Sequence, residues 1–460
     1  MTRLAAFVEL AERMAPVCEQ AVDPMEVAAA LEADGITDAV AARRYGSPDV
    51  FGLAARLCRR HPRNPQPVPA APGPWHTPAG RHLLRGALFA LPALFYLALS
   101  GPAAGSGVGA VIAVSLLLSW AASQAMAYLG HVRRGRGDDA GGARIMRWGL
   151  VIAGLPVAGV TIAVAVVLHV PVAVTGLAVG QVAYLLGATV ALVVGAERLL
   201  LLALAPGVAA SAVGLVMRHE AVRVAAVCCT VTVLGTLALA VYQTRGAAKG
   251  RGPTGRELFD AVPHGVFGLL AGGLLAFVPT AGTVIPHALA AGGALVGVSA
   301  VLPLTVSMGL AEWLVYRYRA ATYRALATTY RLRDFAARAT AALLCTVVGY
   351  AAALAAGSAA AGLAASQLTG RALPVLPLAS YLALGAALFV ALLLMSYGAR
   401  ASAVTGCAAA LLVEYALTGA QLHAGRPINV DAVQLGAAVG LFTVLLTYAL
   451  VVLSRATRHR

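Results

Sequence analysis

"LAEWLVYRYRAATYRALATTYRLRDFAARA", residues 310–339, holds six arginines, four tyrosines and two carboxylates. The sequence on either side is almost entirely Ala, Val, Leu and Gly. Sixty per cent of the 460 residues are hydrophobic and only 12% are charged, with a mean hydropathy of +0.81. No ordinary soluble domain has that balance. Apolar stretches of eighteen residues or more recur from about residue 82 to the end. Each is long enough to cross roughly 30 Å of hydrocarbon as a helix, and the alternation of a β-barrel strand is absent. The chain therefore reads as an all-α polytopic membrane protein. The quoted stretch is its most polar interruption.

The net charge of +15 raises the possibility of a nucleic-acid partner. Its distribution argues against one. Residues 1–60 hold nine carboxylates against seven arginines, so the positive excess lies on the membrane part, where basic loops report topology. Lys249 is the only lysine, which together with the abundance of Ala and Gly reads as a GC-rich genome. The six cysteines (Cys18, Cys58, Cys228, Cys229, Cys345 and Cys407) show no metal-binding spacing and read as buried free thiols.

Residues 1–60 are expected to form a small cytoplasmic helical module able to bind a cytoplasmic protein. "DPMEVAAALEADG" opens with an Asp-Pro helix start and stops at Gly35; "SPDVFGLAARLCRR" is expected to begin with Ser47 as N-cap and Pro48 in the first turn. A Pro-rich linker, 61–82, follows. The first apolar stretch comes only after these charged residues, so no cleavable signal peptide is expected.

Twelve spans are expected, near 83–100, 107–130, 148–169, 172–195, 199–217, 222–242, 260–279, 284–312, 338–363, 375–396, 400–421 and 432–453. With the N-terminus inside, the inner loops hold nearly all the basic residues. The outer loops hold only Arg218, Arg223, Arg371 and Arg426. That asymmetry places both termini in the cytoplasm of the cell that bears this inner-membrane protein. The charged loop "GHVRRGRGDDAGGARIMR" follows the second span and the quoted stretch follows the eighth, equivalent places in two six-helix halves. The expected lobes are 83–242 and 260–455, with a cytoplasmic joint at 243–259 and a cytoplasmic basic helix at 313–338. Paired lobes of this kind suit alternating access around a site at their interface.

This layout resembles the multidrug/oligosaccharidyl-lipid/polysaccharide (MOP) flippase superfamily. Within it, "LPLTVSMGLAEWLVYRYRAATYRAL" is similar to the segment that follows the eighth span of Pel-type exopolysaccharide exporters, where an acidic residue precedes a Tyr/Arg-rich helix. The resemblance implies a protein that turns a lipid-linked glycan, or exports a polysaccharide, through a cavity lined by the first, second, seventh and eighth spans. The first eighty residues lie outside that pattern.

Two compatible readings stand for residues 310–339. One is a juxtamembrane helix whose arginines and tyrosines anchor at anionic headgroups, making membrane lipids the partner. The other is a mouth where Arg317, Arg319 and Arg324 attract an acidic glycan and Glu312 pairs with Arg317 or Arg319. Ionisable groups inside a membrane are functional candidates because an isolated charge there costs several kcal/mol. Glu414, well inside the eleventh span, is either a coupling carboxylate or a neutral group hydrogen-bonded between helices. Asp260, Pro263 and His264 open the seventh span, and Pro263 with the glycines after it is expected to bend that helix and expose its backbone to a translocation path. Gln124 and Gln181 either line a polar cavity or bond a neighbouring helix.

No ATP-binding, zinc-hydrolase or serine-hydrolase motif is present, nor an acidic cluster suited to a metal. No enzymatic activity, cofactor or metal is expected. A small-molecule transporter of the major facilitator type, or a non-transporting scaffold that recruits a glycosyltransferase or division protein, stands as the alternative.

Overall fold

The computed structural model describes residues 3–62, 79–92, 95, 106–217, 222–246, 250–284, 288–289, 294–369 and 374–458. The chain falls into two units, Met1–Pro74 and Trp75–Arg460.

The first unit contains α1 (Arg3–Gln20), α2 (Pro24–Ala33), a turn at Asp38–Val40 that widens through Ala41–Tyr45, and α3 (Val50–Arg60). Asp23 caps α2 by accepting from the amides of Met25 and Glu26, Pro24 fills the first turn, and Gly35 ends the segment at φ +77°. The cap of α3 differs from expectation. Asp49 accepts from Gly52 N–H at 2.6 Å and the helix starts at Val50. A carboxylate two residues after Ser47 is the better acceptor at the positive end of a helix.

Leu10, Leu31, Leu53 and Leu57 close a separate hydrophobic core. Cys18 is buried in it, and burial pushes its thiol from 9.0 up to about 11. At pH 8 a maleimide should modify partly buried Cys58 well before Cys18, as mass spectrometry of the labelled peptides would read. A thiol raised in the fold favours folding below its unfolded value. The module should therefore lose stability as the pH climbs from 9 through about 11.

Among its described residues the second unit is helical apart from turns and one short strand pair. Its helices are α4 (Ala79–Ala90), α5 (Ser106–Gly135), α6 (Asp139–Ile152), α7 (Gly154–Val167), α8 (Val172–Val194), α9 (Glu197–Met217), α10 (Val222–Gln243), α11 (Gly255–Val284), α12 (Ala294–Thr328), α13 (Leu332–Thr369), α14 (Val375–Ser396), α15 (Arg400–His423) and α16 (Val430–Leu453). Ten candidate spans lie among the described residues, with α6 and α7 forming one of them. The chain is an all-α polytopic membrane protein. The expected spans 83–100 and 284–312 correspond to α4 and α12, and parts of both, like most of the linker, lie outside the described residues.

Three expected boundaries change. The charged loop after the second span is a short turn: α5 runs to Gly135 and α6 starts at Asp139. Gly137 takes φ +77°, while Asp138 caps α6 through Gly141 N–H at 2.8 Å and accepts from Arg133 at 3.0 Å. The charges of that stretch thus serve as caps and pairs. Residues 313–338 are not a separate helix either, because α12 continues unbroken to Thr328 and α13 begins at Leu332. At 1.5 Å per residue, the 35 residues of α12 run about 50 Å, well beyond the hydrocarbon thickness. The joint shortens as well, since α11 already begins at Gly255.

Helices α5–α10 pack among themselves, as do α11–α16, and these two lobes meet where α5 lies against α11 and where α4, which touches α9 only lightly, lies against α12. At the opposite end from the arginines, Ala288–Leu289 (β1) pairs in parallel with Ile428–Asn429 (β2), tying two connections of the second lobe together.

Candidate functional site: the polar seam between the lobes

Each of the two lobe contacts is built on small residues that let backbones touch. At the α4–α12 crossing, a Cβ added to Gly86 would lie 2.7 Å from Val306 O, and one added to Gly309 would lie 2.2 Å from His82 O. Along α11, added Cβ atoms at Gly268 and Gly272 would lie 2.9 Å from Gln124 Cγ and 2.7 Å from Leu117 Cδ2 of α5. Without water to drive association, close van der Waals fit is the main attraction between helices in a membrane. The glycines of α11 therefore serve close packing. Pro263 stands inside α11, which runs without a break from Gly255 to Val284.

Above these crossings, toward the arginine-rich end, the seam is charged. Arg85 of α4 sits at the centre with its side chain only 14% exposed. Its Nη1 donates to Glu312 of α12, its Nη2 to Glu197 of α9 at 2.7 Å and to Leu192 O at 3.2 Å, and its Nε to Glu197 at 2.9 Å. Arg81, one turn earlier, donates to the same Glu197 oxygen at 2.8 Å, and His82 Nδ1 lies 3.5 Å from Glu312. The expected pairing of Glu312 with Arg317 or Arg319 is thus corrected. Those arginines follow Glu312 on α12 itself, whereas Arg85 arrives from the neighbouring helix with its planar fork aimed at two carboxylates.

The second contact repeats the arrangement. Glu257, in the first turn of α11, accepts from Arg133 and Arg136 of α5, each at 2.7 Å, and from Thr254 N–H at 2.9 Å. One turn along, Asp260 accepts from Arg400 of α15 at 3.2 Å, and Arg400 Nη2 reaches the Tyr128 hydroxyl of α5 at 3.3 Å. His264 stacks on Tyr128 with ring centroids 4.2 Å apart. Among the described residues, each ion pair that crosses between the lobes has its cation on the first lobe and its carboxylate on the second.

Four expected site residues, Gln124, Asp260, His264 and Glu312, therefore meet at this seam. Others lie elsewhere. Gln181 is in α8 of the first lobe, with its Oε1 buried and lacking a partner among the described residues. Arg317 packs over Trp313 at 4.8 Å, Arg319 donates to Ser396 O at 2.5 Å and lies over Tyr397, and Arg324 donates back to Ala320 O at 3.2 Å. Arg317 and Arg324 engage groups of α12 itself, and Arg319 fastens α12 to the end of α14. Glu414 has no solvent exposure, and neither of its oxygens has a hydrogen-bond partner among the described residues.

Arg81, His82, Arg85, Glu197 and Glu257 were not expected at the site. The available signal was "GRHLLRG" at the entrance to the first span: Arg81 and Arg85 are one helical turn apart and so share a face.

The chain matches no family model and no curated protein. It is similar to a solved structure. That structure is described as "Crystal structure of MATE in the bent conformation", with a TM-score of 0.47 and 14% identity over 81% of this chain and 94% of that one.

Proposed function

We propose that the chain is a transporter of the MOP type that moves a lipid-linked glycan or a polysaccharide across the bacterial inner membrane by alternating access. The observation that carries this reading is the seam: two lobes joined at one end by ion pairs and glycine crossings. Partly buried ion pairs are weak glue compared with apolar packing of the same volume. They are suited to contacts that must break and reform, because each partner finds water or another charge when the lobes part. The excess of arginine at that end makes it the cytoplasmic end and makes this the cytoplasm-closed arrangement. Glu414 supplies the coupling carboxylate, since an unpartnered carboxylate in hydrocarbon is held neutral by a proton or neutralised by a cation.

The test is transport in proteoliposomes. A fluorescently labelled polyprenyl-phosphate oligosaccharide is followed by quenching with dithionite added outside. The protein should accelerate exposure of the label at least tenfold over empty vesicles; no acceleration would remove transport of such a lipid from consideration. Glu414→Gln keeps the shape of the side chain, and is expected to lower the rate at least tenfold while changing the unfolding temperature little. An unchanged rate would take Glu414 out of the mechanism.

A further inference from the structure

A second feature lies within the first lobe, beside the seam. Four helix ends line an open hollow of about 750 Å3: the start of α4 gives Arg81 and Leu84, the end of α8 leads to Gly195, the start of α9 gives Glu197 and Arg198, and the end of α10 gives Gln243. Helix ends mark the depth at which hydrocarbon gives way to headgroups, so the cavity opens at the membrane surface. Its volume is in the range of small-molecule sites.

The lining has two characters. Leu84 offers an apolar wall, while Arg81, Arg198 and Gln243 offer donors. Arg81 is 41% exposed although its partner Glu197 is only 6% exposed. Its Nε and Nη2 both lie 2.8 Å from Glu197 Oε1, and its Nη1 has no partner among the described residues. Arg198 is exposed and has no ion pair among the described residues. Gly195 adopts φ +83°, and a Cβ there would meet Arg81 Nη2 at 3.1 Å, so a side chain at this position would crowd the guanidinium at the cavity wall. The fork of Arg198, the remaining Nη1 of Arg81 and an amide beside an apolar wall match a phosphate ester carrying a hydrocarbon chain. Basic pockets between helix ends hold acidic lipid headgroups by this chemistry.

We propose that this cavity binds the phosphate group of an anionic phospholipid. Because Arg81 and Arg85 share the same Glu197 oxygen, a phosphate that draws on Arg81 leaves Glu197 to Arg85 and so acts on the neighbouring lobe seam.

The experiment uses full-length protein in a zwitterionic detergent, titrated with phosphatidylglycerol and read by native mass spectrometry. Each arginine near the surface adds about fivefold in affinity for an acidic lipid. Arg198→Gln should weaken the tightest-bound lipid by about that factor, Gln243→Ala by less, and Arg81→Gln with Arg198→Gln should remove it. Arg256→Gln, on an exposed arginine of α11, should change nothing. If Arg81→Gln impairs folding, Arg198→Gln and Gln243→Ala still decide the matter. Titration with inorganic phosphate separates the sources: displacement only at tens of millimolar supports the lipid, while binding of phosphate in preference to phosphatidylglycerol would overturn the lipid assignment. Equal affinity for phosphatidylcholine, or no effect of Arg198→Gln, would overturn the site itself.

Discussion

Gly309→Leu should abolish the close contact between the lobes at the α4–α12 crossing. The added Cβ would lie 2.2 Å from His82 O and 2.7 Å from Gly86 N, both backbone atoms that cannot turn aside. Overpacking a close contact costs about 1–3 kcal/mol even where side chains can give, so here α4 must move. The movement would also draw Arg85 away from Glu312, because both contacts lie on the same pair of helices. On the proposed function transport should fall at least tenfold, and a cysteine pair placed across the crossing should lose its crosslinking. Gly349→Ala, where no atom lies within 4 Å of the added Cβ, is the matched control and should leave both readings unchanged. Crosslinking as efficient in Gly309→Leu as in the parent would contradict the packing described for this crossing.

Arg85→Gln should be the most damaging single loss of charge. The guanidinium serves two carboxylates from two other helices, and its removal leaves Glu197, 6% exposed, to Arg81 alone and strands Glu312 beside His82. Removing one partner of a buried ion pair typically costs about 3–5 kcal/mol. A lowered unfolding temperature in nanodiscs would read this directly. The sharper reading is the cycle with Glu312→Gln. If the pair is energetically coupled, the double variant should be less damaged than the sum of the singles, since the stranded carboxylate is gone. Strict additivity would mean that the two residues do not act on one another.

The parts of this fold that were legible in the sequence are those set by local rules. Asp23-Pro24 and Gly35 bound a helix because capping and positive φ are decided within a few residues, and the apolar runs show themselves by length alone. Ser47 failed as a cap because two acceptors lay within two residues and only geometry chooses between them. Glu312, Asp260 and His264 stood out as ionisable groups near hydrocarbon, yet their partners could not be read. Arg85 is 227 positions from Glu312, and Arg400 is 140 positions from Asp260. No periodicity links such pairs; the crossing of helices does. The anchor of Arg319 was out of reach for the same reason, since Ser396 and Tyr397 come from a helix end that local pattern does not place.

The direction of the lobe pairs bears on how the molecule assembles. With Arg85, Arg133 and Arg136 on one half and Glu257 and Glu312 on the other, two first halves brought together would set cation against cation, and two second halves anion against anion. Like charges facing each other across a poorly hydrated contact are a strong bar to wrong pairing. A first half that met the first half of a neighbouring chain is therefore expected to dock less well than one that meets its own second half.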